Sequence, residues 1–209
     1  MYAYEGLGSI YWHMVSKLLL AVMETVKNAE GAGASHEVLA GLKAAYYDVR
    51  EGIGFNKTPD VYGAFPTDPY SHTPGFAGAR QPGMTGQVKE EVLTRLLELG
   101  VVVADACVGF TPTLLRGSEF LVSQATLHYF DIAGAAREVL LEAGELGFTY
   151  CQVPIVMTSA DSPTITLHRS DGTTESVAGS VLSAQQSEAL FKKNGRYVRI
   201  DVSVECVMD

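Results

Sequence analysis

The sequence predicts an α+β protein, helical first and β-rich last. Three observations carry that expectation. Apolar residues recur at helical spacing through the first hundred positions. One long Pro/Gly-rich loop, about 53–85, interrupts them and holds five of the eight prolines. From Phe148 onward β-branched and aromatic residues alternate in short runs bounded by turn residues. The division expected from this is a helical part, 1–120, and a β-rich part, 121–209.

Residues 1–8 show no periodicity. From Ser9 to about Asn28, Ile10, Met14, Leu18, Ala21 and Val22 fall on one helix face, widened by Tyr11, Val15, Leu19 and Val26. His13, Ser16, Lys17, Glu24 and Lys27 form the polar stripe. The GAGA stretch at 31–34 ends this helix. Ser35 is a good N-cap, with Glu37 where the helix dipole favours negative charge. Val38, Leu39, Leu42, Ala45, Tyr46 and Val49 then repeat, and Gly52 is the expected stop. The two helices read as an antiparallel hairpin. A third helix is expected over about 86–99, with Val88, Val92, Leu93, Leu96 and Leu99 inward and Lys89, Glu90, Glu91, Arg95 and Glu98 outward. Gly100 ends it.

Between 101 and 147 the pattern is ambiguous. The run from Val101 to Phe110 fits a strand or a buried helix. Ala125–Phe130 fits a strand, and 133–141 fits either a short helix or a strand after a loop. Beyond, the alternation predicts one strand over Phe148–Met157. A hairpin follows over Thr164–Val177, its type I′ turn at Asp171-Gly172. Ser183 caps a short helix and Tyr197–Val204 closes the chain as a strand. The tail reads as a small antiparallel sheet.

Composition excludes some functions. The formal charge is −9 and the pI about 5.0, and no polybasic run occurs. Neither a nucleic-acid surface nor an anionic membrane surface is expected. No stretch approaches the roughly 18 apolar residues of a membrane span. Leu18–Met23 lacks the basic start of a signal peptide. Cys107, Cys151 and Cys206 are far apart, odd in number and without a CxxC pair. They read as buried free thiols of a reducing, cytoplasmic compartment.

The chemistry concentrates in the long loop, FPTDPYSHTPGFAGARQPGMTGQVKEE over Phe65–Glu91. A loop of that length in a compact domain is usually functional or disordered, and its aromatics speak for order. Thr85-Gly86 leads into the third helix, where free N–H groups and the dipole favour an anion. An ordinary Thr cap explains the same pair. Asp68, Tyr70, His72 and Arg80 are further candidates, as are Trp12 and His13 on the first helix. Aromatic faces suit the C–H face of a sugar, and core packing suits them too. Asp68 fits a Thr-Asp-Pro turn as readily as a ligand contact. His13, His72 and Asp68 lack metal-site spacing, so no metal is expected.

Three landmarks occur in order: SIYWHMVSKLLLA at 9–21, TDPYSHTP at 67–74 and RQPGMTGQVKEE at 80–91. In this the chain resembles the C-terminal part of inverting glycoside phosphorylases of the cellobiose and chitobiose phosphorylase type. The resemblance implies a partial (α/α)₆ barrel followed by a β-rich domain. It implies that His13, Thr85 and Gly86 contact phosphate and that Asp68-Pro69-Tyr70 stands for the family's Glu-Pro-Tyr. Asp68 is one carbon shorter than that Glu, and Gln81-Pro82 replaces an expected tryptophan. The implied ligands are carbohydrate and inorganic phosphate as co-substrate, with no other cofactor. The family's general-acid aspartate lies upstream of the aromatic-His helix, and here only twelve residues precede His13. The expectation is a module without its acid, inactive alone, that self-associates or pairs with a missing N-terminal chain. The catalytic residues are left unassigned. The alternative is a non-catalytic, self-associating α+β protein that binds glycans or partners.

Overall fold

The structure is a computed structural model that describes residues 12–53 and 88–205. It is α+β, as the sequence predicts. Contacts divide the chain into two compact units, Met1–Arg95 and Leu96–Asp209.

In the first unit, α1 (Trp12–Gly31) and α2 (His36–Ile53) pack together as a hairpin. The turn is a Schellman motif. Gly33, at φ +70°, donates to Glu30 O at 3.0 Å, and Ala34 N–H reaches Ala29 O at 2.9 Å. Ser35 caps α2, its Oγ accepting from Val38 N at 3.4 Å. The buried face differs from the expected one. Leu19, Met23 and Val26 are buried with Ser16, while Met14 and Leu18 are more than half exposed. On α2, Tyr46, Tyr47 and Arg50 are buried and Val38 is exposed. Tyr46 and Tyr47 meet edge to face, centroids 5.1 Å apart. Both helices are apolar around most of their girth, so periodicity alone leaves the inward face underdetermined. Gly52 does not stop α2, which runs on to Ile53.

The helix α3 (Val88–Glu98) meets its expectation only in part: Leu99 is buried, Leu96 packs against the core and Lys89 is exposed, as expected. Glu90, Thr94 and Glu98, one turn apart, are buried, whereas Val92 and Leu93 are exposed. Thr94 Oγ1 donates to Glu90 O at 2.8 Å. What a helix packs against decides its inward face, and here a polar stripe faces in. Gly100 ends the helix as predicted, in the left-handed region at φ +74°.

The second unit begins with a hairpin, β1 (Val101–Ala104) and β2 (Cys107–Phe110). The ambiguity at 101–110 thus resolves as strands. Their two-residue turn, Asp105-Ala106, has φ +49° and +61°. After a 3₁₀ turn at Gly117–Glu119 come β3 (Ala125–Phe130) and β4 (Ala136–Leu141), an antiparallel pair. The helical option for 133–141 is therefore not the one adopted. The predicted strand over 148–157 is two strands, β5 (Glu145–Tyr150) and β6 (Val153–Ser159). Cys151 and Gln152, at φ +51° and +66°, form the type I′ turn between them without the usual glycine or asparagine.

The main sheet adds β7 (Thr164–Arg169), β8 (Thr174–Ala178) and β9 (Tyr197–Val204), in the order β5-β6-β9-β7-β8. It is not wholly antiparallel, because β9 enters the middle parallel to β6. The β7–β8 hairpin forms as expected, but not through a type I′ turn. Gly172 alone is left-handed, at φ +84°. Gly172 N–H bonds Arg169 O and Arg169 N–H bonds Thr173 O. This is a three-residue loop with a glycine bulge. Asp171 Oδ1 accepts from Thr173 N and Oγ1, which holds that aspartate out of the left-handed region. The tip of β3–β4 repeats the design at Asp131–Ala135, with Gly134 left-handed.

Across the β7–β9 pair, His168 faces Arg199 and Arg169 faces Tyr197, so Val198 is an extra residue in β9. That bulge puts Tyr197 and Ile200 on the same buried face although they are three apart. The core face joins Ile155, Met157, Ile165, Leu167, Ile200 and Val202. Leu99, Val101, Val108, Phe110 and Leu115 belong to the same cluster. These residues are why the contacts divide near 95, whereas the sequence suggested 120. The helix α4 (Ala184–Phe191) covers this core with Ala189 and Leu190. It starts with the predicted Ser183 cap, completed as a capping box by Gln186. Its buried Ser187 accepts Val108 N–H at 2.9 Å, tying β2 to the helix.

Candidate functional site

Most of the residues singled out in the sequence fall outside the described residues: Asp68, Tyr70, His72, Arg80, Thr85 and Gly86. Trp12 and His13 lie in the first turn of α1, and their side chains are likewise outside the description. The helix α3 begins at Val88, two positions after Gly86. Among the described residues no three of His, Cys, Asp and Glu come together as a metal site. No described helix is long and apolar enough to cross a membrane. Cys107 and Cys151 are free thiols, as expected, but half-buried rather than buried, because each adjoins a hairpin turn. Cys206 lies outside the described residues.

The second unit gathers polar groups that the sequence did not reveal. On the sheet face opposite the core, His168 Nε2 lies 2.7 Å from Asp201 Oδ2, and Arg199 Nε donates to Asp201 Oδ1. One carboxylate is shared between an imidazole and a guanidinium. No hydroxyl in the described residues bonds the other ring nitrogen, so the pair lacks the nucleophile of a triad.

On the core side, Arg169 Nη2 bonds Glu175 Oε2, and Gln186 Nε2 donates to Glu175 Oε1 at 2.8 Å. The bond from Arg169 foremost, and then that from Gln186, holds the Glu175 carboxyl below its ordinary range. A depressed folded-state pKa adds stability that is present above the ordinary value and lost as pH falls through the depressed one. We expect Glu175→Gln to flatten the loss of stability below about pH 4. Urea midpoints at pH 6, 4 and 3 measure this. Parallel pH dependence in the variant and the parent would contradict it.

The third constellation is a cleft of about 390 Å³ at the tip of the β3–β4 hairpin. It is lined by Tyr129, Asp131, Arg137, Gln152, Pro154 and Tyr197, among others. Leu127 and Leu141 lie close to Gly147 of β5, where a Cβ would stand 2.5 Å from Leu141 Cδ1, and so seat the hairpin on the sheet. Tyr129 and Arg137 are cross-strand partners and therefore share one face. Asp131 Oδ1 accepts from Ala133 N and Ala135 N, and Oδ2 from Arg137 Nε at 2.8 Å. These bonds, Arg137's first, hold the Asp131 carboxyl below its usual range. Gln152 is fixed at both ends of its amide. It donates to Asp131 O at 3.1 Å and accepts from Lys193 Nζ at 2.8 Å. The cleft is thus preorganised, with ionised and amide groups beside aromatic rings. Its residues come from four separate segments with no motif spacing. The one sequence signal was Asp131 three residues before a glycine, a turn that brings Arg137 back beside it.

No protein-family model matches the chain, and no curated protein matches it.

Proposed function

We propose that the chain is a carbohydrate-active module that binds inorganic phosphate and sugar, related to the C-terminal part of an inverting glycoside phosphorylase. The order of elements supports the reading: a helix pair opening at Trp12-His13, a third helix soon after Thr85-Gly86, then a β-rich unit. In this reading the three helices are part of an (α/α) barrel. Phosphate is held by His13 with the amides of Thr85 and Gly86, and Asp68, Tyr70, His72, Trp12 and Arg80 contribute to the sugar side. Amide donors at a helix start stabilise an oxyanion without reorganising.

The test is calorimetric titration of the full chain with inorganic phosphate. His13→Ala is expected to weaken phosphate binding about tenfold or more, the worth of one charge-assisted hydrogen bond. Unchanged phosphate affinity in the variant would sink the reading. A second reading, a non-catalytic protein that binds partners or glycans, draws on Met14, Leu18 and Val38, apolar and exposed on the helix pair. Glycan binding that survives in His13→Ala without phosphate binding favours it.

A further inference from the structure

The cleft at the β3–β4 tip carries an uneven charge. The chain as a whole is at −9. The cleft's lining holds one carboxylate, Asp131, and one cation, Arg137. Around it stand Lys193 on Gln152, Arg196 between Gly195 and Tyr197 of the lining, and Glu175, which acts on Arg196 and Tyr197 but is itself paired with Arg169, so the cations exceed the carboxylates by two. Arg196 stacks on the Tyr197 ring, 5.4 Å from its centroid. Among the described residues neither Lys193 nor Arg196 has a carboxylate partner within salt-bridge reach. Arg137 spends only Nε on Asp131, so its two terminal nitrogens keep their donors. A local excess of positive charge in an acidic protein raises the concentration of anions there. The volume suits a mono- or disaccharide. Tyr129 and Pro154 offer apolar surface, and Gln152 and Asp131 offer fixed hydrogen-bonding groups for hydroxyls.

We propose that this cleft binds a small anionic saccharide, a sugar bearing a phosphate or carboxylate. The oxyanion meets Arg137 and Lys193, and the ring lies against Tyr129. The saccharide half rests on the carbohydrate reading above; the anionic half rests on charge alone. All the residues of this cleft belong to the second unit, whereas His13 belongs to the first.

The experiment titrates the full chain at low salt with glucose 1-phosphate, glucuronate, glucose and inorganic phosphate. The parent is compared with Arg137→Gln, Lys193→Glu and His13→Ala. In the His13→Ala chain, where the proposed phosphate position is removed, the inference expects one of the two charged sugars to bind about tenfold tighter than both glucose and free phosphate. Which one prevails tells phosphate from carboxylate. Both cleft variants should lose about tenfold, and His13→Ala should lose nothing at this site. Arg137→Gln also releases Asp131 and can loosen the hairpin. The Lys193 side chain is exposed and bonds only Gln152, so its variant keeps the test decisive. Glucose binding as tightly as the charged sugars overturns the proposal. So does free phosphate matching them in the His13→Ala chain, or no charged sugar binding at all. So does a loss that follows His13 while both cleft variants bind like the parent; that last result leaves the phosphorylase-like reading standing. Phosphate binding indifferent to His13 removes that reading and leaves the cleft's charge preference to be judged by its own variants.

Discussion

Gly100→Ala is expected to destabilise the second unit by about 3–5 kcal/mol, the largest effect of a methyl group added at any of the described glycines. Two costs add. The residue sits at φ +74°, a conformation that costs an L-residue with a Cβ roughly 1–2 kcal/mol. The new Cβ would also stand 2.2 Å from Pro112 N and 2.5 Å from Thr111 C. Those atoms are backbone, and one belongs to a proline ring, so no rotamer relieves the overlap. Nor can the segments drift apart freely, because Gly100 O accepts Thr111 N–H at 2.8 Å and closes the β1–β2 hairpin. Gly134→Ala is the matched control. It has φ +76° and nothing within 4 Å of its added Cβ, so it carries the conformational cost alone. Urea unfolding of both variants separates the terms. Equal losses in the two would show that the contact with Pro112 relaxes at no cost.

Ile200→Ala should cost about 2–5 kcal/mol. Ile200 is fully buried in β9, the strand inserted between β6 and β7. Its cross-strand partners are Ile155 on one side and Leu167 on the other, both fully buried. Truncation leaves a cavity lined from both sides, which a sheet fixed by two ladders cannot collapse. Val198→Ala on the same strand is nearly half exposed and should cost under about 1 kcal/mol. The contrast tests the bulge directly. Were β9 regular, residues 198 and 200 would share a face and their costs would be similar. Comparable losses would therefore contradict the register described above.

The same bulge marks a limit on reading this protein from its residues. The alternation of Val202 and Val204 with polar neighbours announces a strand, and Ser183 announces a helix start; both form. Gly33 and Gly100 punctuate helices because each takes the left-handed geometry that a Cβ resists. Cys151-Gln152 gave no such warning. Residues that rarely make a type I′ turn make one here, and an apparent single strand became two. Burial on α3 was misjudged for a related reason. Its apolar residues suggest an inward face, yet Glu90, Thr94 and Glu98 occupy it. The candidate site behaves similarly. Asp131 and Arg137 are six apart across a turn, but Gln152 and Tyr197 reach them only through sheet pairing.

What the amino-acid order settled unaided is local: where the four described helices and the strands β3 and β7–β9 lie, how several of them end, and that helical and β-rich parts follow one another. Propensity, capping and turn chemistry act over a few residues, so a few residues suffice to read them. Tertiary structure alone decided which helix faces are buried, that β9 runs parallel to β6 in the middle of the sheet, and that Asp131, Arg137, Gln152 and Tyr197 line one cleft. Those outcomes depend on pairings between segments tens of residues apart, and the competition among such pairings leaves no periodic trace in the sequence.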